Sequence, residues 1–179
     1  MMLTLYHGTS TKYFDEIIKS GLKPRGRKIG NWKHSVKSKK DLVYLTDCYA
    51  PYYANAATSK PHKPIIFKIV IDTDDFEIFP DEDFIAQCLA KNFPANSISL
   101  NSLTGQVDPK KYQYEWGKSL KHFGNISVKH IPPENIKGYY IGSFMEFLSL
   151  QDPCITLLNH IYMSETYKQG LDNLKFIKL

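Results

Sequence analysis

The residues best placed for chemistry stand near the start of the chain, where His7 is followed by Gly8, Thr9 and Ser10. An imidazole, a backbone position without a side chain and two hydroxyls follow one another. The preceding Leu3-Thr4-Leu5-Tyr6 alternates and is rich in strand formers, which predicts a short strand ending at His7. Gly8-Thr9-Ser10 is then expected to turn the chain and expose backbone N–H groups beside the ring. A second aromatic-bearing strand is expected at Val43-Tyr44-Leu45-Thr46-Asp47, and Tyr52 and Tyr53 follow it. A flat ligand held between such rings gains about 0.5–1.5 kcal/mol per aromatic pair beyond simple burial.

Charge adds a second kind of chemistry. The formal net charge is +5, yet residues 20–40 hold eight of the 23 basic residues and no acid: Lys23, Arg25, Arg27, Lys28, Lys33, Lys37, Lys39 and Lys40. The rest of the chain is therefore slightly acidic, and the cationic character is local. Trp32 and His34 lie among these cations, a mixture suited to neutralising a nucleic-acid backbone while stacking a base. Residues 72–90 carry seven acids and no Lys or Arg, so one segment attracts phosphate and the other repels it. Cys48, Cys88 and Cys154 form no Cys-x-x-Cys pair, and His34, His62, His122, His130 and His160 show no ligand spacing. No metal site is expected from these patterns, and a reducing, cytoplasmic setting fits the cysteine usage.

The elements that must position these residues follow from periodicity. Residues 11–19 place Tyr13, Phe14, Ile17 and Ile18 at helical spacing, with Asp15 and Glu16 early and Gly21 just past the end, which predicts a helix. Residues 42–46 predict a strand, and 52–58 a helix whose first turn suits Pro51. Residues 64–71 are a nearly continuous β-branched run, expected to cross the middle of a sheet. Pro80-Asp81-Glu82-Asp83 has the composition of a helix start, and 94–112 is polar and turn-rich. A short helix is expected at 117–122 and strands at 126–130 and 136–141. The tail, 145–179, predicts two helical segments, with Ile155, Leu158, Ile161 and Tyr162 on one face. Strands with helices between them but no strict alternation predict an α+β fold. No stretch of 18 apolar residues exists, so no membrane span is expected, and the first residues lack the basic start and apolar core of a secretory signal.

At Leu5-Tyr6-His7-Gly8-Thr9-Ser10, Gly21-Leu22-Lys23-Pro24, Val43-Tyr44-Leu45-Thr46-Asp47 and the Tyr52-Tyr53 helix, the chain resembles the ADP-ribosyltransferase superfamily. The branch it is most similar to holds the poly(ADP-ribose) polymerases and the RNA 2′-phosphotransferases. The likeness covers residues 3 to about 141. It implies split β-sheets around an NAD cleft over a domain of residues 1–144, with 145–179 a helical C-terminal extension. It also implies that NAD is the co-substrate. His7 would contact the nicotinamide ribose and the Gly8 backbone would hold the carboxamide. Tyr44 would stack on nicotinamide from across the groove and Tyr53 would supply a second aromatic, with Thr9, Ser10 and Thr46 completing the NAD-binding set. The family's third motif carries a catalytic Glu, but residues 124–127 here are Gly-Asn-Ile-Ser. Glu115, in a Gln113-Tyr114-Glu115 string similar to the Gln-x-Glu of mono-ADP-ribosyltransferases, is the first substitute. Asp81, Glu82 and Asp83 are the second. Ile131-Pro132-Pro133-Glu134 is similar to the closing segment of the 2′-phosphotransferases.

Three functions are carried forward. The first is NAD-dependent mono-ADP-ribosylation of a macromolecule, RNA or DNA in view of the basic segment, or protein. A toxin or defence effector restrained by an inhibitor protein would have this chemistry. The second is RNA 2′-phosphate transfer. The third is a catalytically inactive module of the same fold that binds NAD, RNA or a protein partner.

Overall fold

The computed structural model describes residues 1–26, 38–91, 103, 106–150 and 170–179. Of the features above, Arg27, Lys28, Trp32, Lys33, His34, Lys37, Cys154, Ile155, Leu158, His160, Ile161 and Tyr162 lie outside the described residues, as do 94–102 and 104–105 of the polar stretch.

β-Branched and aromatic runs form strands β1 (Met2–Ser10), β2 (Val43–Thr46), β3 (Pro64–Asp72), β4 (Ile78–Pro80), β5 (Asn125–Val128), β6 (Ile136–Ile141) and β7 (Ile177–Lys178). They build one sheet in the order β4-β5-β2-β1-β3-β6-β7 with antiparallel neighbours throughout. Helices α1 (Phe14–Ser20), α2 (Ala50–Ala57), α3 (Glu82–Ala90), α4 (Trp116–Phe123) and α5 (Phe144–Ser149) come between strands or follow them. The architecture is α+β. No helix among the described residues is long and apolar enough to cross a membrane.

The 64–71 run lies inside the sheet, between β1 and β6. Its odd residues Ile65, Phe67, Ile69 and Ile71 share one buried face with Leu5, Val43, Leu45, Ile126 and Val128. That face is covered by α1, where Ile17 is buried and Phe14 packs on Phe67 and Tyr139. Each such fully buried side chain contributes roughly 1.5–3 kcal/mol. The opposite face gathers Tyr6 and Ile66 with Ala50 and Ala54 of α2, Phe147 of α5 and Leu171, so the described parts of 145–179 pack into the same core as β1. A third cluster joins Phe84, Ile85 and Ala86 of α3 to Leu103 and Val107.

Several expectations change. β1 does not end at His7, and Gly8-Thr9-Ser10 does not turn the chain: the strand continues to Ser10 because β3 offers a paired residue at each step, Met2↔Asp72 through Ser10↔Pro64. The glycine serves a close approach instead. A Cβ on Gly8 would lie 2.0 Å from the Ala50 carbonyl oxygen and 2.7 Å from the Ala54 nitrogen, so α2 reaches the strand only through Gly8 and the small residues at i and i+4. The turn comes after Ser10, whose side chain accepts from the Lys12 N–H to start a 3-10 turn, Thr11–Tyr13. Ile78–Pro80 is a strand that periodicity did not reveal, being three residues long among acids. Part of the expected 94–112 loop is the 3-10 helix Pro109–Glu115, capped by the Asp108 side chain. α1 ends at Gly21, whose φ of +74° and close approach to the Ile131 carbonyl suit only glycine.

Candidate functional site

Two edges of β1 meet different partners, and the difference creates the site. Toward β3 the ladder is complete, and its phase is set by the Thr11 N–H donating to the Lys63 carbonyl and Thr73 N–H to the Met1 carbonyl, both at 2.9 Å. These odd positions of β1 are the hydrogen-bonded pairs, so the even residues Tyr6 and Gly8 turn their N–H and C=O away from β3, toward β2. There the only register pair is Tyr6↔Thr46. Continued by two residues, the ladder would set Gly8 against Tyr44. The Tyr44 carbonyl is instead engaged by His7, whose Nδ1 lies 2.9 Å from it. The imidazole thus takes the acceptor that the next rung would have used, and the buried Gly8, whose N–H and C=O turn toward β2, stands outside the β1–β2 register.

The bond fixes the histidine. A carbonyl oxygen only accepts, so Nδ1 carries the proton and Nε2 presents a lone pair. Burial holds the His7 pKa below its usual value, opposed by the bond to Tyr44. The ring is thus neutral, with a donor committed to structure and an acceptor left for a ligand hydroxyl.

Register also determines faces. His7 pairs with Phe67 and leaves the sheet on the Leu5 and Phe67 side. Tyr44 sits between Val43 and Leu45, both on that side, so its phenol leaves on the other, the face of Tyr6 and Thr46. The expected stacking of the two rings across a groove is therefore replaced by imidazole against Tyr44 backbone. The phenol donates to Glu82 Oε1 in a short hydrogen bond, and the Lys39 N–H donates to both the Tyr44 hydroxyl and Glu82 Oε1 at 2.7 Å. Burial and the adjacent Glu82 carboxylate push the Tyr44 pKa far up. Glu82, 2% exposed, is itself held above the ordinary carboxylate value by desolvation. Asp81, next to it, is raised for the same reason and by its two acidic neighbours.

The remaining predicted residues divide. The Thr46 hydroxyl donates to the Gly124 carbonyl at 2.7 Å and accepts from the Cys48 and Tyr49 N–H groups, locking the turn after β2. Ser10 is a cap, and Thr9 is buried with its carbonyl near the Thr58 hydroxyl. Tyr53 packs edge-on to Tyr49, and its phenol meets the Asn125 side chain near Asp81. Asn125, first residue of β5, thus occupies the neighbourhood where a third-motif acid was sought. Glu115 is paired with Lys118 at 2.8 Å and lies toward Cys88. Cys88 is six residues along α3 from Glu82, about 9 Å at helical rise. The acid at Tyr44 is Glu82. Its sequence signal was only that of a helix start, with Asp81 as the cap.

The base of the cationic segment is pinched beside this cluster. Gly26 N–H donates to the Lys40 carbonyl at 3.0 Å, and Arg25 Nη2 donates to the Ser38 carbonyl at 2.7 Å. Lys39 also lines a polar cavity of about 450 Å³ with Asp41, Gln106, Asp108, Lys110 and Lys111. Among the described residues, no group of three His, Cys, Asp or Glu is arranged to hold a metal ion.

No protein-family model and no curated protein sequence matches this chain.

Proposed function

We propose that the chain is an NAD-dependent mono-ADP-ribosyltransferase that modifies a macromolecule, with nucleic acid the acceptor favoured by the basic segment. One observation carries this reading: the β1–β2 ladder holds only the pair Tyr6↔Thr46, so the buried Gly8 backbone donor and acceptor, turned toward β2, stand outside its register beside His7, whose Nδ1 is spent on the Tyr44 carbonyl. A primary carboxamide needs that pair, one N–H for its oxygen and one C=O for its NH₂, and a ribose hydroxyl can donate to the imidazole. These residues fit nicotinamide riboside. Gly8 would hold the amide and His7 the ribose, while Tyr44 contributes its carbonyl to orient His7 and its phenol lies on the opposite face of the sheet. NAD supplies the ADP-ribosyl group on a nicotinamide leaving group. The chain's part is to orient that bond in a partly dry seam, where fixed dipoles count for more than in water. Lys23, Arg25, Lys39 and Lys40 at the neck of the cationic segment would draw in a phosphate-bearing acceptor.

A second reading is favoured by Asn125 at the start of β5 and by the engagement of Glu115 with Lys118: NAD binding without transfer. Labelled NAD incubated with the protein and a cell extract, followed by nuclease or protease digestion, separates the two. Covalent label that nuclease releases supports transfer to nucleic acid, and label released only by protease moves the acceptor to protein. No label, with a rise in melting temperature on adding NAD, establishes the binding module; at 100 times its Kd the ligand stabilises by about 2.7 kcal/mol. His7→Ala should weaken NAD binding roughly 10-fold or more by removing one hydrogen bond in the seam. Neither label nor thermal shift defeats both readings. If about five cations contact single-stranded phosphates, acceptor affinity should fall with salt at a log-log slope of roughly −3.5.

A further inference from the structure

We propose that Glu82 is a positioning residue for the seam: one carboxylate oxygen holds the Tyr44 phenol and the Lys39 amide together, so that ring orientation and the neck of the cationic segment are coupled. The proposal rests on the NAD reading for its functional consequence but not for its structural one. A glutamate only 2% exposed persists where its oxygens are met by donors, and here Oε1 receives both Tyr44 Oη–H and Lys39 N–H. Because Lys39 N–H also reaches the Tyr44 oxygen, the three groups close a ring of contacts that fixes the phenol from two sides. The platform beneath Glu82 is equally tied. The Asp81 N–H donates to Ser119 Oγ at 2.9 Å, and that hydroxyl donates to the Asn125 carbonyl at 2.8 Å, joining the start of α3 to the first residue of β5. On the other side, Arg25 grips Ser38, the residue before Lys39. A polyanion drawn to Lys23, Arg25, Lys39 and Lys40 would therefore act on the segment that clamps Tyr44, and the aromatic would respond to whether the neck is occupied.

The test uses the full chain with Glu82→Ala, Glu82→Gln and Tyr44→Phe. Hydrogen exchange of the Lys39 amide reads the clamp directly, with no need for activity. Loss of one such bond should speed it about 10-fold in Glu82→Ala and by a smaller factor in Tyr44→Phe, while Glu82→Gln, which keeps the acceptor oxygen, restores most of the protection. Steady-state NAD consumption reads the consequence: Glu82→Ala should raise the KM for NAD about 10-fold with kcat within about 3-fold, and Glu82→Gln should recover most of that loss. Unchanged Lys39 exchange in both Glu82→Ala and Tyr44→Phe overturns the clamp. A kcat that collapses in Glu82→Gln as fully as in Glu82→Ala also overturns it, since the carboxylate would then act by its charge. Should Glu82→Ala fail to fold, Tyr44→Phe decides alone. A wild-type chain that neither binds nor consumes NAD sinks the functional reading, and Lys39 exchange still decides the clamp.

Discussion

The two edges of β1 show how one strand can be paired along its whole length on one side and at a single register pair on the other. On the β3 side nine residues pair in register, from Met2↔Asp72 to Ser10↔Pro64, and the side chains at odd positions are sealed under α1. On the β2 side pairing stops after Tyr6↔Thr46. The backbone is the same and its hydrogen-bonding capacity is the same, so the difference lies in what competes for the next rung. At Gly8 it is the His7 imidazole that takes the Tyr44 carbonyl. An unpaired stretch of strand interior is ordinarily a liability, because its N–H and C=O groups invite another chain. Here α2 crowds the Gly8 Cα on one face and Gly8 is buried, which keeps another chain from that edge.

The largest expected effect breaks the closed edge. Phe67, fully buried and paired with His7 in register, should cost about 3–5 kcal/mol when changed to alanine, by lost transfer energy plus the cavity left behind. Urea denaturation checks this. A cost below about 1 kcal/mol would mean that the β1–β3 side is not the framework described here.

Next comes the single rung of the open edge. Thr46→Val keeps the shape but removes a hydroxyl that serves a carbonyl and two N–H groups. Stranding such buried partners costs about 1–3 kcal/mol. Amide exchange should show the loss concentrated in β2 and at Tyr6, with β3 protection following only the global stability. Equal loss across both edges would erase the distinction between them.

How far the sequence revealed this follows from which signals are local. The helix over 11–19 was legible because caps, apolar spacing and the terminal glycine all lie within the short stretch 10–21. Likewise β3 was legible from an uninterrupted β-branched run. Gly8-Thr9-Ser10 misled, since the residues that make turns are also those that permit close packing of a helix on a strand, and only Ala50 and Ala54, more than 40 residues away, distinguish the two uses. His7 and Tyr44 were legible as a pair of motifs, but not their faces: parity depends on the phase of the β1–β3 ladder, set by Lys63 and Thr73. Glu82 was visible only as part of a helix start, because its partners are 38 and 43 residues distant. Ile78–Pro80 is too short for periodicity to register.

A smaller effect, in pH rather than in size, sharpens the contrast within the site. His7 has its pKa lowered from an ordinary 6.5, so the folded state binds a proton less readily than the unfolded chain. Its contribution is present above that value and is lost as pH falls through the lowered one. Asp81 and Glu82 are raised above their ordinary 3.8 and 4.5, so their contribution has the opposite sign: present below those values, lost as pH rises through the raised ones. Melting temperature measured from pH 4 to 8 should therefore fall less steeply on the acid side in His7→Gln than in wild type. In Glu82→Gln it should fall less steeply on the alkaline side. Parallel profiles for all three proteins would mean that neither burial is retained in solution.

The smallest expected effect on stability lies in the cavity beside the seam. Lys110 and Asp41 pair at 3.1 Å, but both side chains are more than half exposed, so water and salt screen the attraction. Lys110→Ala should therefore change unfolding free energy by less than about 0.5 kcal/mol. Its effect on a bound polyanion is a separate matter. A lysine that contacts a phosphate releases one counterion's worth of salt dependence, so the same substitution should reduce the log-log salt slope for a single-stranded oligonucleotide by about 0.7. Exchange at Lys39 and along β1 should stay as in wild type, because Lys110 touches the cavity wall and not the clamp. If Lys110→Ala instead loosens the Lys39 amide, cavity and seam are one mechanical unit, and the open edge of β1 is supported from outside the sheet.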